Sequence, residues 1–399
     1  SSPPAQRDRS KSRRIRVRKL FLFPICRIFQ PLTARVENTE TDGKKELKTE
    51  LPSGISAARM KSKDVLFLLS LMLGFTCSIF AETRYVDINN ATPAAPFSSW
   101  STAANQIQDA IDMSSNGDII LVANGVYAAG GKSVTGILTN RIAIDKAVTV
   151  QSVDGPEVTI ILGYQSQGPD DDSSPVRCAY LADGAVLNGF TCMNGSARNT
   201  SDPNEATGGA VWCASTNAFV FNCILRSNVV VNSLEGIGGG AYSGTLSNCV
   251  LEGNSAVGGG GAAHSVLIDC RLERNVASRF GGGAFNSILK NSWLSENSAA
   301  NGGGTAQSYL ESCVISQNSA TEKGGGIITG TVLNSRITGN RAVETGGGIY
   351  FAFATNCIVA TNSARMGGGA DMTTLERCQI HGNIAYQSGG GVSESTVLA

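Results

Sequence analysis

From Gly238 to Gly391 the apolar and polar positions recur in one phrase: three glycines, a small or apolar residue, a Leu or Val, a Cys or Ser, an aliphatic residue, then Asn. The third glycine falls at Gly240, Gly261, Gly283, Gly304, Gly326, Gly348, Gly369 and Gly391, a repeat of 21 or 22 residues. One column holds Cys223, Cys249, Cys270, Ser292, Cys313, Ser335, Cys357 and Cys378. Two residues later stand Leu225, Leu251, Leu272, Leu294, Ile315, Ile337, Val359 and Ile380, and three residues before it Val220, Leu246, Leu267, Leu289, Leu310, Val332, Ala354 and Leu375. Five residues after each Cys or Ser comes Asn228, Asn254, Asn275, Asn297, Asn318, Asn340, Asn362 and Asn383 without exception.

A spacing of two between the Cys and aliphatic columns is strand periodicity, and Gly and Asn every few positions exclude a helical stripe. A fixed period of this length predicts an all-β solenoid, each repeat one coil of a parallel β-helix, with like residues stacked about 4.8 Å apart. About a dozen such coils would stack to roughly 50 to 60 Å. Inward positions are then filled by slim side chains and glycines take the sharp corners. The Asn column predicts a ladder of stacked amides that satisfies backbone groups at a bend. The Cys column reads as slim apolar filling, since Ser292 and Ser335 replace Cys without disturbing the phrase. Cys178, Cys192 and Cys213 lie outside it, and their pairing is open.

The Gly-Gly-Gly-Ala runs at 238–241 and 281–284 and the Gly-Gly-Gly-Ile runs at 324–327 and 346–349 combine with Leu251-x-x-Asn254, Leu272-x-x-Asn275 and Ile315-x-x-Asn318. These resemble the repeats of the polymorphic outer membrane proteins, with Leu, Ile or Val where that family commonly has Phe. The resemblance covers about half of the chain. It implies a right-handed parallel β-helix displayed at or beyond a bacterial envelope, often adhesive, in a chain that here lacks the family's C-terminal barrel.

Ahead of the repeats, Ser101 to Ser115 carries Ile107, Ala110, Ile111 and Met113 on one helical face, which suits a helix capping the open end of the solenoid. Short strands follow at 117–123, 148–150 and 158–161. The order Ile107-Gln108-x-Ala110-Ile111, Gly117-Asp118-Ile119-Ile120-x-Val122, Gly125-x-Tyr127 resembles the first coil of the pectin-lyase-like superfamily, which includes polysaccharide lyases, hydrolases and epimerases. Val186 to Asn194 enters the repeat register, with Gly189 in the Cys column and Asn194 in the Asn column. Residues 165–175 and 198–207 are insertions.

Charge divides the chain. Residues 1–59 hold 14 Lys or Arg against six acids, and we read them as an upstream extension outside the native protein. Met60 to Lys63 followed by the apolar run Val65 to Phe75 and small residues to Ala81 is the pattern of an export signal, residues 60–81, too short to span a bilayer comfortably. After Ala81 there remain 16 Lys and Arg against 25 Asp and Glu, a net of −9, which does not suit binding nucleic acid by charge. The expected organisation is a cap and first coil over 82–135, irregular coils with insertions over 136–207, and regular repeats over 208–399 that stop just after a new glycine corner.

Chemistry is sparse. Asp170, Asp171 and Asp172 are weak candidates for a Ca²⁺ site, and otherwise a solvated loop; no cofactor is called for. Glu252, Glu273, Arg274 and Glu296 fall in neighbouring columns on successive coils, a weak candidate for catalysis and otherwise surface ion pairs. His264 and His381 stand several coils apart, cannot pair, and read as surface residues. A lyase on such a fold would use Lys or Arg among the irregular coils, where Arg177 and Arg198 are present. The expected function is an exported, monomeric surface or secreted stalk or adhesin binding a carbohydrate or cell-surface ligand; the alternative is a carbohydrate-active enzyme with its cleft near the irregular coils.

Overall fold

The computed structural model describes residues 81–165, 174–198, 200–231 and 236–399. The basic extension, the export segment up to residue 80 and Asp170, Asp171 and Asp172 lie outside the described residues. The described chain is a right-handed parallel β-helix whose faces are three parallel sheets, of 21, 11 and nine strands.

One coil shows how the phrase folds. Ala262–Ala263 and Val266–Ile268 lie on the first face, Arg271–Glu273 on the second and Val276–Phe280 on the third. Each segment pairs in register with the next coil, Leu267 with Leu289 and Leu272 with Leu294. Left-handed backbone at Gly259, His264, Asp269 and Arg274, with φ of 59, 55, 54 and 54°, turns the chain at five-residue intervals. The first face contributes two short strands per coil, split at the His264 position, which is why its sheet holds the most strands.

The core is two stacked aliphatic columns, with a third column of small residues beside it. Leu246, Leu267, Leu289, Leu310, Val332 and Leu375 fill it from the first face and Leu225, Leu251, Leu272, Leu294, Ile315 and Ile337 from the second, all fully buried. The third face supplies Ala256, Ala277, Ala299, Ala320, Ala342 and Ala364. These alanines cluster apart from the aliphatic columns, Ala320, Ala342 and Ala364 in one group and Ala256 with Leu138, Ala197 and Val230 in another.

The Asn ladder is continuous from Asn228 to Asn383. Asn275 donates from Nδ2 to Leu251 O at 2.8 Å in the coil before it and to Asn297 Oδ1 at 3.0 Å in the coil after it. Asn297 Oδ1 also accepts the backbone N–H of Asn275 at 2.9 Å. Both amide hydrogens and both oxygen lone pairs are thus used at each buried rung. In the neighbouring column Cys270 Sγ donates to Ile268 O at 3.3 Å and Ser292 Oγ donates to the equivalent Lys290 O at 2.8 Å, so thiol and hydroxyl are interchangeable small donors. The nine described cysteines are free and, except for the half-buried Cys378, buried.

The register expected at 186–194 is corrected by one residue. Thr191 pairs with Ile224 and Ser196 with Val229, so Phe190 rather than Gly189 occupies the Cys column and Gly195 rather than Asn194 the Asn column. Asn194 takes the left-handed bend at φ 54°. Its side chain does not begin the ladder; Gly195 instead donates its N–H to Asn228 Oδ1 at 2.8 Å.

The capping helix is shorter than the apolar pattern suggests, Ile107–Asp112, so Ile107, Ala110 and Ile111 are buried while Met113, one residue past the end, is 46% exposed. Gln108 covers the free edge of the strand Thr139–Ile144, its Oε1 accepting from Ala143 N at 2.7 Å and its Nε2 donating to Ala143 O at 3.3 Å. One side chain therefore supplies both partners that a neighbouring strand would.

Candidate functional site

The Gly-Gly-Gly corner creates a surface feature that the repeat alone did not announce. At Gly260 an added Cβ would lie 2.4 Å from Val276 O and 2.5 Å from Gly282 O, so the stacked corners carry no side chains at all. This bare strip is flanked by two rows. The residue just before each triplet forms one, with Gly258, Phe280, Asn301, Lys323, Thr345 and Met366 in register. The second residue after each triplet forms the other, with Trp212, Tyr242, Ala263, Phe285, Ala306, Ile328, Tyr350 and Asp371 in register.

Where the rows are aromatic they enclose a cavity of about 370 Å³. Tyr180 and Trp212 stack with centroids 5.1 Å apart, Trp212 and Tyr242 follow at 6.2 Å, and Phe280 meets Phe285 across the glycine strip at 6.3 Å. His264, at the bend beside this row, lies 5.6 Å from Tyr242 and 6.1 Å from Phe285, edge to face with both. Burial among the rings holds its imidazole below its ordinary value. His264 is therefore a neighbour of the cavity; His381 lies in the second-face strand Gln379–His381 and does not share it. Arg279 sits over the Phe280 ring at 5.5 Å, a cation–π contact.

The far wall of the cavity is the insertion at 200–207. Asp202 caps the short helix Pro203–Ala206 through Asn204 N at 3.0 Å. Arg177, 2% exposed, anchors the loop from below. Its guanidinium donates to Asn204 O at 2.7 Å, Thr207 O and Gly208 O at 2.8 Å and Asn140 Oδ1 at 3.0 Å. Glu205 accepts from the backbone N–H groups of Ile137 and Leu138 and from Arg198 Nη1 at 2.7 Å. Burial pushes this carboxyl up, but those donors outweigh it and hold it below its ordinary value. Arg177 and Arg198, the cations a lyase would use, are thus committed to building the wall.

Among the described residues four buried polar side-chain atoms lack a hydrogen-bond partner: Arg84 Nε, Trp212 Nε1, Thr345 Oγ1 and Asp371 Oδ1. The last three all lie in the two rows beside the glycine strip. Trp212 lies seven coils from Asp371 along its row, whereas Thr345 and Asp371 flank adjacent corners of the strip.

Glu252, Glu273, Arg274 and Glu296 are brought together on the opposite side of the coil. Arg274 lies 2.5 Å from Glu252 and 3.7 Å from both Glu273 and Glu296; Arg226 adds 2.9 Å to Glu252, and Arg271 2.5 Å to Glu273. The hydrogen bond from Arg274 leads the effects that keep Glu252 below its ordinary range, with Arg226 adding to it. Together these carboxylates and guanidinium groups form an ion-pair network on the second face. Beside it Trp293, 48% exposed, borders a shallow cavity with Arg271, Glu273, Ser295 and Ser316.

Sequence reasoning missed the trough. Its signal was available, since Tyr242, Phe285 and Tyr350 all stand two residues after a glycine triplet and Phe280 and Lys323 one before it. Among the described residues no group of three or more His, Cys, Asp or Glu is placed to hold a metal ion.

No protein-family model and no curated protein matches the chain. Among solved structures it is similar to pectate lyase Pel9A, at 13% identity over 77% of this chain and 78% of that one, with a TM-score of 0.43. The polygalacturonase of Erwinia carotovora ssp. carotovora aligns at 7% identity over 80% and 97%, TM-score 0.36. The Azotobacter vinelandii mannuronan C-5 epimerase AlgE4 A-module aligns at 13% identity over 79% and 97%, TM-score 0.37.

Proposed function

We propose that this β-helix binds polysaccharide, the polymer lying along the glycine-floored trough. A pyranose ring has an apolar C–H face and a rim of hydroxyls, and half-buried aromatic rings beside a few polar groups match both. The observation that carries the reading is the set of rings Tyr242, Phe280 and Phe285 lining a cavity of about 370 Å³ together with Ser201, Thr207 and Arg279, with Trp212 and Tyr180 continuing the stack of rings along the row beyond that lining. The rows repeat at the coil spacing of about 4.8 Å, close to the length of one sugar unit in an extended chain. Binding without turnover is supported by the partners of the ionisable groups behind the cavity wall: Glu205 and the buried Arg177 are held by several structural hydrogen bonds, and Arg198 pairs with Glu205. The signal-like sequence pattern at 60–81 and the repeats resembling those of polymorphic outer membrane proteins support a setting at a bacterial envelope or outside the cell, in an adhesin-like role. A carbohydrate-active enzyme is the second reading, favoured by the unpaired Asp371 carboxylate oxygen in the same trough.

Co-sedimentation of the full chain with a panel of neutral and uronate-containing polysaccharides, with reducing ends followed in parallel, separates the two. Retention without cleavage, weakened about tenfold or more by Tyr242→Ala or Phe285→Ala, is expected. Cleavage lost in Asp371→Asn would establish the enzyme instead, and neither retention nor cleavage of any polymer would overturn both.

A further inference from the structure

We propose that a second sugar-binding subsite lies further along the same trough, at Tyr350, with Asp371 and Lys323 as its polar contacts. The inference rests on the reading of the trough as a polysaccharide site. Tyr350 occupies the same row as Phe285, three coils on, through the pairings with Ala306 and Ile328. Lys323 stands in the opposite row and holds its ammonium 5.1 Å from the Tyr350 ring centroid. It makes no ion pair with any described residue. Asp371 follows Tyr350 in the row, one coil on, and is 3% exposed with Oδ1 unpartnered. An added Cβ at Gly367 would lie 2.7 Å from Asp371 Cβ, so the aspartate stem lies against the glycine floor. Thr345, between Lys323 and Met366 in its row, contributes a second unpartnered oxygen.

The chemistry is that of a sugar site. The tyrosine offers a stacking face, the carboxylate accepts a hydroxyl proton that no protein group supplies, and the ammonium donates to a hydroxyl or ring oxygen. A buried acceptor left without a donor is costly, and a ligand hydroxyl removes that cost. Met366, across the corner from Asp371, is an unbranched side chain able to yield to an entering ring.

Two subsites three coil steps apart are separated by about 14 Å. Only an oligosaccharide of about four units or more reaches both, and the second contact then becomes intramolecular, with a high effective concentration. Calorimetric titration of the full chain with a size series of the retained polymer, disaccharide to octasaccharide, tests this. Affinity is expected to step up about tenfold or more at the bridging length. Tyr350→Ala and Asp371→Asn should remove the step, so that affinity no longer rises between trisaccharide and octasaccharide, with unchanged melting temperature for the near-isosteric Asp371→Asn. Retention of polymer with no step, or a step that both variants preserve, overturns the second subsite alone. Failure of any polymer to bind overturns the reading of the trough as well.

Discussion

Asn275 and Asn297 share three groups between adjacent coils: Asn297 Oδ1 accepts both the side-chain amide of Asn275 at 3.0 Å and its backbone N–H at 2.9 Å. Asn297 in turn donates to Leu272 O at 2.8 Å and Asn318 Oδ1 at 2.9 Å. Removing one rung therefore strands groups in the coils on both sides of it. Asn297→Ala is expected to destabilise the solenoid by about 3 to 5 kcal/mol, at about 1 to 3 kcal/mol for each buried group left unmade. Denaturant titration checks this, and a loss below about 1 kcal/mol would mean that the ladder is not what holds the bend.

Gln317 holds a left-handed bend at φ 56°, a position that Gly253, Gly339 and Gly382 fill in other coils. Left-handed backbone costs a side-chain-bearing residue about 1 to 2 kcal/mol, and glycine adds about 0.5 to 1 kcal/mol of unfolded-state entropy. Gln317→Gly should stabilise the protein by up to about 1 kcal/mol, read as a higher melting temperature.

The thiols should react in order of burial. Burial pushes Cys213 and Cys223 up to about 12 and Cys313 to about 11, whereas Cys378 is half-buried and held below its ordinary value by Cys357. Of the nine described cysteines Cys378 should be labelled first by an aromatic disulfide reagent under native conditions, the others only on unfolding. Cys270→Ser, which repeats what Ser292 and Ser335 already do, should change stability by less than about 1 kcal/mol.

Glu205 titrates below its ordinary value of 4.5 in the folded protein. The unfolded chain then binds the proton more readily, so the stability this carboxylate contributes is complete above that value and is lost as pH falls through the lower folded one. Melting temperatures of wild type and Glu205→Gln should differ by a constant amount at neutral pH and converge in acid. A gap that persists in acid would show that the charge is not what fixes the cavity wall.

His264 titrates below its ordinary value of 6.5, so its contribution is present above 6.5 and declines as pH falls. Its imidazole resonances should show a midpoint below 6.5, and Phe285→Ala should move it upward by restoring water to the ring.

The period, the two aliphatic columns and the Asn ladder were legible in the sequence because each is fixed by stacking: an inward residue must match its neighbours above and below. Outward residues carry no such constraint. Ala306 and Ile328 interrupt the row between Phe285 and Tyr350 without affecting the fold, so the trough leaves only a broken pattern. The Ala256 to Ala364 column was equally regular but unremarkable in composition. Arg177 was visible as a cation among irregular coils; its burial under carbonyls of Asn204, Thr207 and Gly208 depends on an insertion whose path no periodicity predicts. The shift from Asn194 to Gly195 arose because Asn serves both as a ladder rung and as a left-handed bend.

The chain holds three tryptophans, and only Trp212 stands in the trough. Replacing Trp100 and Trp293 by Phe leaves it as the sole reporter, stacked between Tyr180 and Tyr242. Titrating that variant with the polysaccharide retained in sedimentation should shift and change its emission saturably, with the same midpoint as retention, and Phe285→Ala should move both together. Retention of the polymer with Trp212 emission unaltered would place the ligand elsewhere on the solenoid and contradict the account.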